Sequence, residues 1–157
     1  MTLYLVRHAK AGNRSEWTRD DRLRPLSRRG QRQSDGLLDL LADANIDRLL
    51  SSPYVRCMET LVPLAGMRGL AIEPIDALTE GATLDGALAL VRKHAHHDAV
   101  MCMHGDVMPM LLEYYEDRGV PFDSAPTWPK GCTWVLDVDT TGEIAAARYL
   151  PPPPDEP

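Results

Sequence analysis

The sequence predicts an α/β protein, a three-layer α/β/α sandwich around a largely parallel sheet. Strand-like and helix-like segments alternate along the chain, the order that builds a parallel sheet covered by helices. The strand-like segments are continuous apolar runs, as expected of strands buried on both faces. A length of 157 residues suits one domain. A hydrophobic fraction of 44% with 25% charged residues excludes global disorder.

Residues 2–6 (TLYLV) read as a short buried strand. Residues 27–44 read as a helix, with Ser27 as its cap and Leu37, Leu38 and Leu41 on one face. Arg48–Ser51 is a second strand, and residues 53–64 a helix opening on Pro53, where a missing N–H does little harm. Residues 71–75 make a third strand, and residues 84–95 an amphipathic helix with Leu88, Val91 and Ala95 in register. The run 98–103 (DAVMCM) is another buried strand, followed by a helix over 106–117. Residues 130–139 and 143–149 read as two closing strands joined by Thr140-Thr141-Gly142. The domain is expected to span 1–150. Residues 151–157, opening on four prolines, are expected to lie extended on the surface as a tail.

Seventeen lysines and arginines against 23 acidic residues leave a net charge of −6. Such a chain does not attract nucleic-acid polymers or anionic membranes through its overall field. The basic run Arg28-Arg29-Gly30-Gln31-Arg32 accordingly reads as a solvated helix face. No apolar run is long enough to span a bilayer, and the apolar stretch before Arg7 is too short for a signal peptide. A cytoplasmic protein is expected. Cys57, Cys102 and Cys132 are odd in number and lie in apolar segments, so they read as buried free thiols. His94, His96 and His97 read as histidines favourable to a helix C-terminus, not as metal ligands.

The informative residues are those that follow the strands. Arg7-His8 follows the first, Ser51-Ser52-Pro53 with Arg56 the second, Thr79-Glu80-Gly81 the third, and His104-Gly105-Asp106 the strongest buried one. Ligand sites in open α/β sheets gather beyond the carboxyl ends of the strands. Four segments would thus deliver two histidines, two arginines and a carboxylate to one edge, and two of these segments open helices. Each piece alone is an ordinary polar boundary; their coincidence at one edge is the signal.

LVRHAK (residues 5–10), PLSRRGQRQ (25–33), SSPYVRCMET (51–60) and MHGD (103–106) together resemble the histidine phosphatase superfamily, the phosphoglycerate mutase-like fold. The resemblance covers residues 1–150. One departure is Ala9, where the family usually has glycine after the histidine. Compactness is similar to the bacterial phosphohistidine phosphatases, while HAKAGNRSEWTRDDRLRPL and KGCTWVL look closer to the histidine phosphatase domain fused to Nudix hydrolases in actinobacteria. No Nudix box is present, so a freestanding version of that domain is expected.

The resemblance implies a phosphatase in which His8 attacks phosphorus to form a transient phosphohistidine that water hydrolyses. Arg7 and Arg56 would grip the phosphate oxygens with planar guanidinium forks, and Arg14 would add a contact from the loop after the first strand. His104 would contribute a further contact. Glu80 occupies a place similar to the family's general acid, with Asp106 as the alternative. The sequence calls for no metal and no cofactor. The expected substrate is a small phosphate, nucleotides included, or a protein phosphohistidine. Trp17 and Trp128 are loop aromatics that would border the pocket or serve packing, and Lys130 is a further pocket candidate. A phosphate-binding domain without turnover is the competing reading; a phosphomutase is disfavoured by length.

Overall fold

A computed structural model describes residues 1–157. Six strands form one sheet: β1 (Thr2–Arg7), β2 (Arg48–Ser51), β3 (Ile72–Pro74), β4 (Ala99–Met103), β5 (Thr133–Val138) and β6 (Ile144–Leu150). Their spatial order is β3-β2-β4-β1-β5-β6. The pairs β3–β2, β2–β4 and β4–β1 are parallel, whereas β5 and β6 add antiparallel at one edge. Four helices cover the sheet: α1 (Arg28–Leu40), α2 (Val55–Arg68), α3 (Leu84–Lys93) and α4 (Val107–Asp117). The expected three-layer architecture is thus the one observed.

The pleat explains the two cores. Leu3 and Leu5 of β1, with Met101 and Met103 of β4, face α3 and α4, meeting Leu88, Val91, Leu111 and Leu112. Tyr4 and Val6, with Val100 and Cys102, face α1 and α2, meeting Leu37, Leu41, Leu61 and Leu64. Strands apolar on both faces are what a sheet sandwiched between helices requires. All three cysteines are buried free thiols, as expected. No helix is long and apolar enough to cross a membrane.

Several boundaries differ from the sequence reading, each for a tertiary reason. The second helix starts at Val55, not at Pro53, because Ser52 Oγ accepts the Tyr54 N–H at 3.2 Å and holds that stretch extended. The same helix runs past residue 64 to Arg68 through Pro63. Proline there frees the Glu59 carbonyl, and the Ser34 hydroxyl of α1 is shared between it at 3.2 Å and the Thr60 carbonyl at 2.9 Å. Helix α1 stops at Leu40 and not at residue 44, where the Arg68 guanidinium takes the carbonyls of Leu41 and Ala44 at 2.7 and 2.8 Å. Helix α3 ends at Lys93, two residues early, with His94 Nδ1 donating back to the Leu90 carbonyl at 3.0 Å. The first closing strand begins only at Thr133, because Lys130-Gly131 form a turn with Gly131 at φ +87°.

Residues 151–157 hold no helix or strand, but the tail is not idle. Pro153 is buried against Gly36 of α1, where a Cβ would collide with it. Asp155 pairs with Lys10, and its carbonyl accepts from Arg32 at 3.2 Å. The basic face of α1 is therefore partly covered rather than wholly solvated.

Candidate active site

The carboxyl ends of β2, β4 and β1 lie side by side, so the residues following them meet at one edge. A cleft of about 540 Å³ opens there, walled by Arg7, His8, Arg14, Arg24, Glu80 and Lys130 among others. That volume falls in the range of small-molecule sites. His8 is nearly fully buried, and its Nδ1 donates to the Ala9 carbonyl at 2.7 Å. A ring protonated at Nδ1 leaves Nε2 with the free lone pair. Burial drives its pKa down to about 3, assisted by the nearby His104, Arg56 and Arg7. The imidazole is therefore neutral at pH 7. Ala9 is buried, its N–H bound by Thr60 Oγ1 at 3.0 Å, and no non-glycine residue in the chain has a positive φ. Alanine fits that turn without strain.

The His104 ring lies edge-on to His8, with centroids 5.4 Å apart. Its Nε2 is 2.8 Å from Ser52 Oγ. That hydroxyl also accepts the Tyr54 N–H. The other ring nitrogen of His104, Nδ1, is buried and has no partner. Tyr54 bridges the group, stacking edge-on to His104 at 4.7 Å and lying 4.9 Å from the Arg56 guanidinium.

Arg7 extends past Gly105, where any Cβ would collide with the guanidinium, and donates from Nη1 to the Trp128 carbonyl at 2.7 Å. Burial lowers its pKa from the ordinary value, with Cys132 and Asp106 acting oppositely. Its Nε is buried without a partner, as is the Nε of Arg56. Three of the four such side-chain atoms in the protein thus belong to Arg7, Arg56 and His104. Orphaned buried donors are uncommon and call for an explanation; three around one histidine make a site prepared for an anion.

Arg56 sits deeper than the sequence suggested. It is fully buried, does not form the cleft wall, and donates to the Asp21 carbonyl and carboxylate at 2.9 and 3.1 Å. Asp21, in the short turn Asp21–Leu23, also pairs with Arg24 at 3.0 Å and lies 3.7 Å from Arg14. Burial opposes its ionisation, but the Arg24 hydrogen bond and the charge of Arg56 outweigh this and hold it below the usual carboxylate value. Sequence reasoning missed Asp21, Arg24 and Ser52. Ser52 was legible in principle, since it follows a strand within the quoted SSP; the other two lie in a loop with no local signature.

Arg14 is largely exposed and donates to Glu80 at 3.1 Å, while Arg56 lies 3.6 Å from the other Glu80 oxygen. Asp106 takes the position before α4 but does not cap it. Its carboxylate instead accepts the Gly81 N–H at 2.7 Å, anchoring the turn that carries Glu80. Trp17 and Trp128 do not wall the cleft; each borders an adjoining hollow, of about 270 and 300 Å³ respectively. His97 lies 3.5 Å from Asp47, and His94, His96 and His97 do not gather into a metal-binding group.

An α/β/α sandwich with two histidines and an arginine cluster at its strand ends defines a class of phosphate-handling proteins. The family model of the histidine phosphatase superfamily (branch 1) matches residues 3–85, and the chain belongs to that superfamily of histidine-dependent phosphatases. It is 35% identical to an 8-oxo-(d)GTP phosphatase of Mycolicibacterium smegmatis (strain ATCC 700084 / mc(2)155) over 99% of this chain and 49% of that protein. The chain thus spans about half the length of this relative. Among solved structures, the SixA protein of Agrobacterium tumefaciens is 26% identical, with TM-score 0.70 over 87% of this chain and 91% of that one. A protein histidine phosphatase SixA complexed with tungstate gives TM-score 0.72 at 18% identity, covering 99% and 97%. The latter likeness is one of fold.

Proposed function

We propose that this chain hydrolyses phosphate esters or phosphoramidates of small molecules through a phosphohistidine on His8, without a metal ion. The supporting observation is the set of unpartnered buried donors on Arg7, Arg56 and His104 around a neutral His8. Nε2 of His8 attacks phosphorus in line; the P–N bond forms as the bond to the leaving group breaks. Arg7, Arg56 and His104 stabilise charge on the phosphoryl oxygens. Glu80 protonates the leaving atom, oxygen in an ester or nitrogen in a phosphoramidate, and then takes a proton from the water that attacks the phosphohistidine, releasing inorganic phosphate and neutral His8. Likeness to an 8-oxo-(d)GTP phosphatase favours a nucleotide over a phosphoprotein as substrate.

Hydrolysis of p-nitrophenyl phosphate, measured with chelator present for wild type and His8→Ala, tests the reading. Wild type is expected to turn over, the variant to lose at least about a thousand-fold, and the wild-type enzyme to carry acid-labile phosphate after quenching. Equal rates would remove His8 as nucleophile. No wild-type turnover on a panel of nucleotides, sugar phosphates and phosphohistidine peptide would favour a binding domain instead, and phosphate passing to a second acceptor would favour a mutase.

A further inference from the structure

Four cations wall the cleft, and they are not equivalent. Arg14 and Arg24 are already paired with Asp21, and Arg14 also with Glu80. Arg7 makes no ion pair but holds its place on the Trp128 carbonyl with an unpartnered Nε. Lys130 alone has an ammonium group with neither a carboxylate nor a hydrogen-bond acceptor.

The backbone of Lys130 is nonetheless fixed. The Gly131 N–H donates to the carbonyls of both Arg7 and His8, at 3.2 and 3.1 Å. The Lys130 carbonyl accepts from Gln33 Nε2 at 3.2 Å, and Gln33 Oε1 in turn accepts the Lys10 N–H at 2.9 Å. The lysine backbone is therefore bolted to the nucleophile's own backbone. Lys130 remains solvent-exposed; partial burial, together with the charges of Arg7, Arg24, Arg14 and Lys10, pushes its pKa below the ordinary lysine value. No carboxylate in the structure supplies its counter-charge, so the ammonium is available to a ligand anion.

A single phosphoryl group does not account for it. Of the residues proposed to hold such a group, Arg7 and His8 wall the cleft, and a volume of about 540 Å³ has room for more than one phosphoryl group. Ala11 is the one apolar side chain in its wall, so whatever adjoins the phosphoryl group meets charge rather than hydrocarbon.

We infer that Lys130 forms a second anion subsite in this cleft, which selects phosphate compounds whose leaving group carries a further phosphate, such as nucleoside diphosphates and triphosphates or bisphosphates. This rests on the proposed phosphatase reading, and Lys130 is its specificity-determining residue. The ammonium meets the distal phosphate while His8 addresses the terminal phosphorus. The transferred group and the distal group are thus read by different residues.

Calorimetric binding of inorganic pyrophosphate and inorganic phosphate at matched ionic strength tests the subsite without turnover. Wild type is expected to prefer pyrophosphate by at least about ten-fold, the scale of one charge-assisted contact. Lys130→Met is expected to lower pyrophosphate affinity about ten-fold more than phosphate affinity, with Lys130→Arg restoring most of the difference. Equal losses for the two anions, or no preference in wild type, would overturn the subsite. Kinetics then separate the two ideas. Pyrophosphate preference with no hydrolysis of any phosphate strikes the phosphatase reading and leaves the subsite standing. Hydrolysis in which Lys130→Met lowers kcat/KM alike for a nucleoside diphosphate and p-nitrophenyl phosphate strikes the subsite alone.

Discussion

At the scale of single residues, the site depends on two neighbouring histidines held by different contacts. His8 is held neutral by burial, its pKa down at about 3 against 6.5 for the free side chain. Between those values the unfolded chain binds more protons than the folded one, so stability falls as pH falls through that window and is unaffected above it. Each unit of depression corresponds to about 1.4 kcal/mol. Chemical denaturation between pH 7 and 4 is expected to show a steeper loss for wild type than for His8→Gln, and the His8 NMR resonances are expected not to titrate between pH 8 and 5. A His8 midpoint near 6.5 would contradict this. For His104 the control is Ser52: removing the hydroxyl in Ser52→Ala frees the ring, and kcat is expected to drop about ten- to a hundred-fold, with Ser52→Thr recovering much of it. Arg7, His8 and His104 were legible in the sequence because Arg7 ends a strand and the two histidines each directly follow one. Asp21 and Arg24 were not, because their partners come from α2 and from the loop after β1, and no local pattern records such pairings.

At the scale of elements, the turn after β3 and the start of α4 act as one unit through Asp106 and the Gly81 N–H. This geometry distinguishes an anchor from an acid. Asp106→Asn keeps an acceptor but has no acidic proton, so an anchoring role predicts kcat within about three-fold of wild type, whereas Asp106→Ala releases the turn that carries Glu80 and is expected to lower kcat about ten-fold. Collapse of activity in the asparagine variant, with loss of one limb of the pH–rate profile, would instead make Asp106 the acid. The element pattern itself was readable from apolar runs and caps such as Ser27, which accepts the Gly30 N–H at 3.1 Å. The passage of α2 through Pro63 was not, since the donor that rescues the Glu59 carbonyl comes from a different helix.

At the scale of the whole molecule, the tail closes over α1 and reaches back to Lys10, two residues beyond His8. Removing residues 151–157 uncovers the Gly36 face that the ring of Pro153 covers, a burial on the order of 1 kcal/mol. A fall in Tm of about 2–4 °C is expected in calorimetry, and part of it is expected to persist in high salt, because the proline contact is not ionic. An unchanged Tm would show that the tail only rests on the surface. The sequence reading placed this segment outside the folded domain because four prolines exclude helix and strand; nothing in such a run records a docking partner.

Asp21, set among Arg14, Arg24 and Arg56, has a consequence for the empty protein. A cleft this rich in guanidinium groups would repel itself in the absence of ligand. Its built-in carboxylate acts as a resident counter-ion, so the fold tolerates the cluster before any substrate arrives. An incoming phosphate therefore enters a site that is already partly neutralised, and its grip depends on exchanging partners within the cluster rather than on raw positive potential.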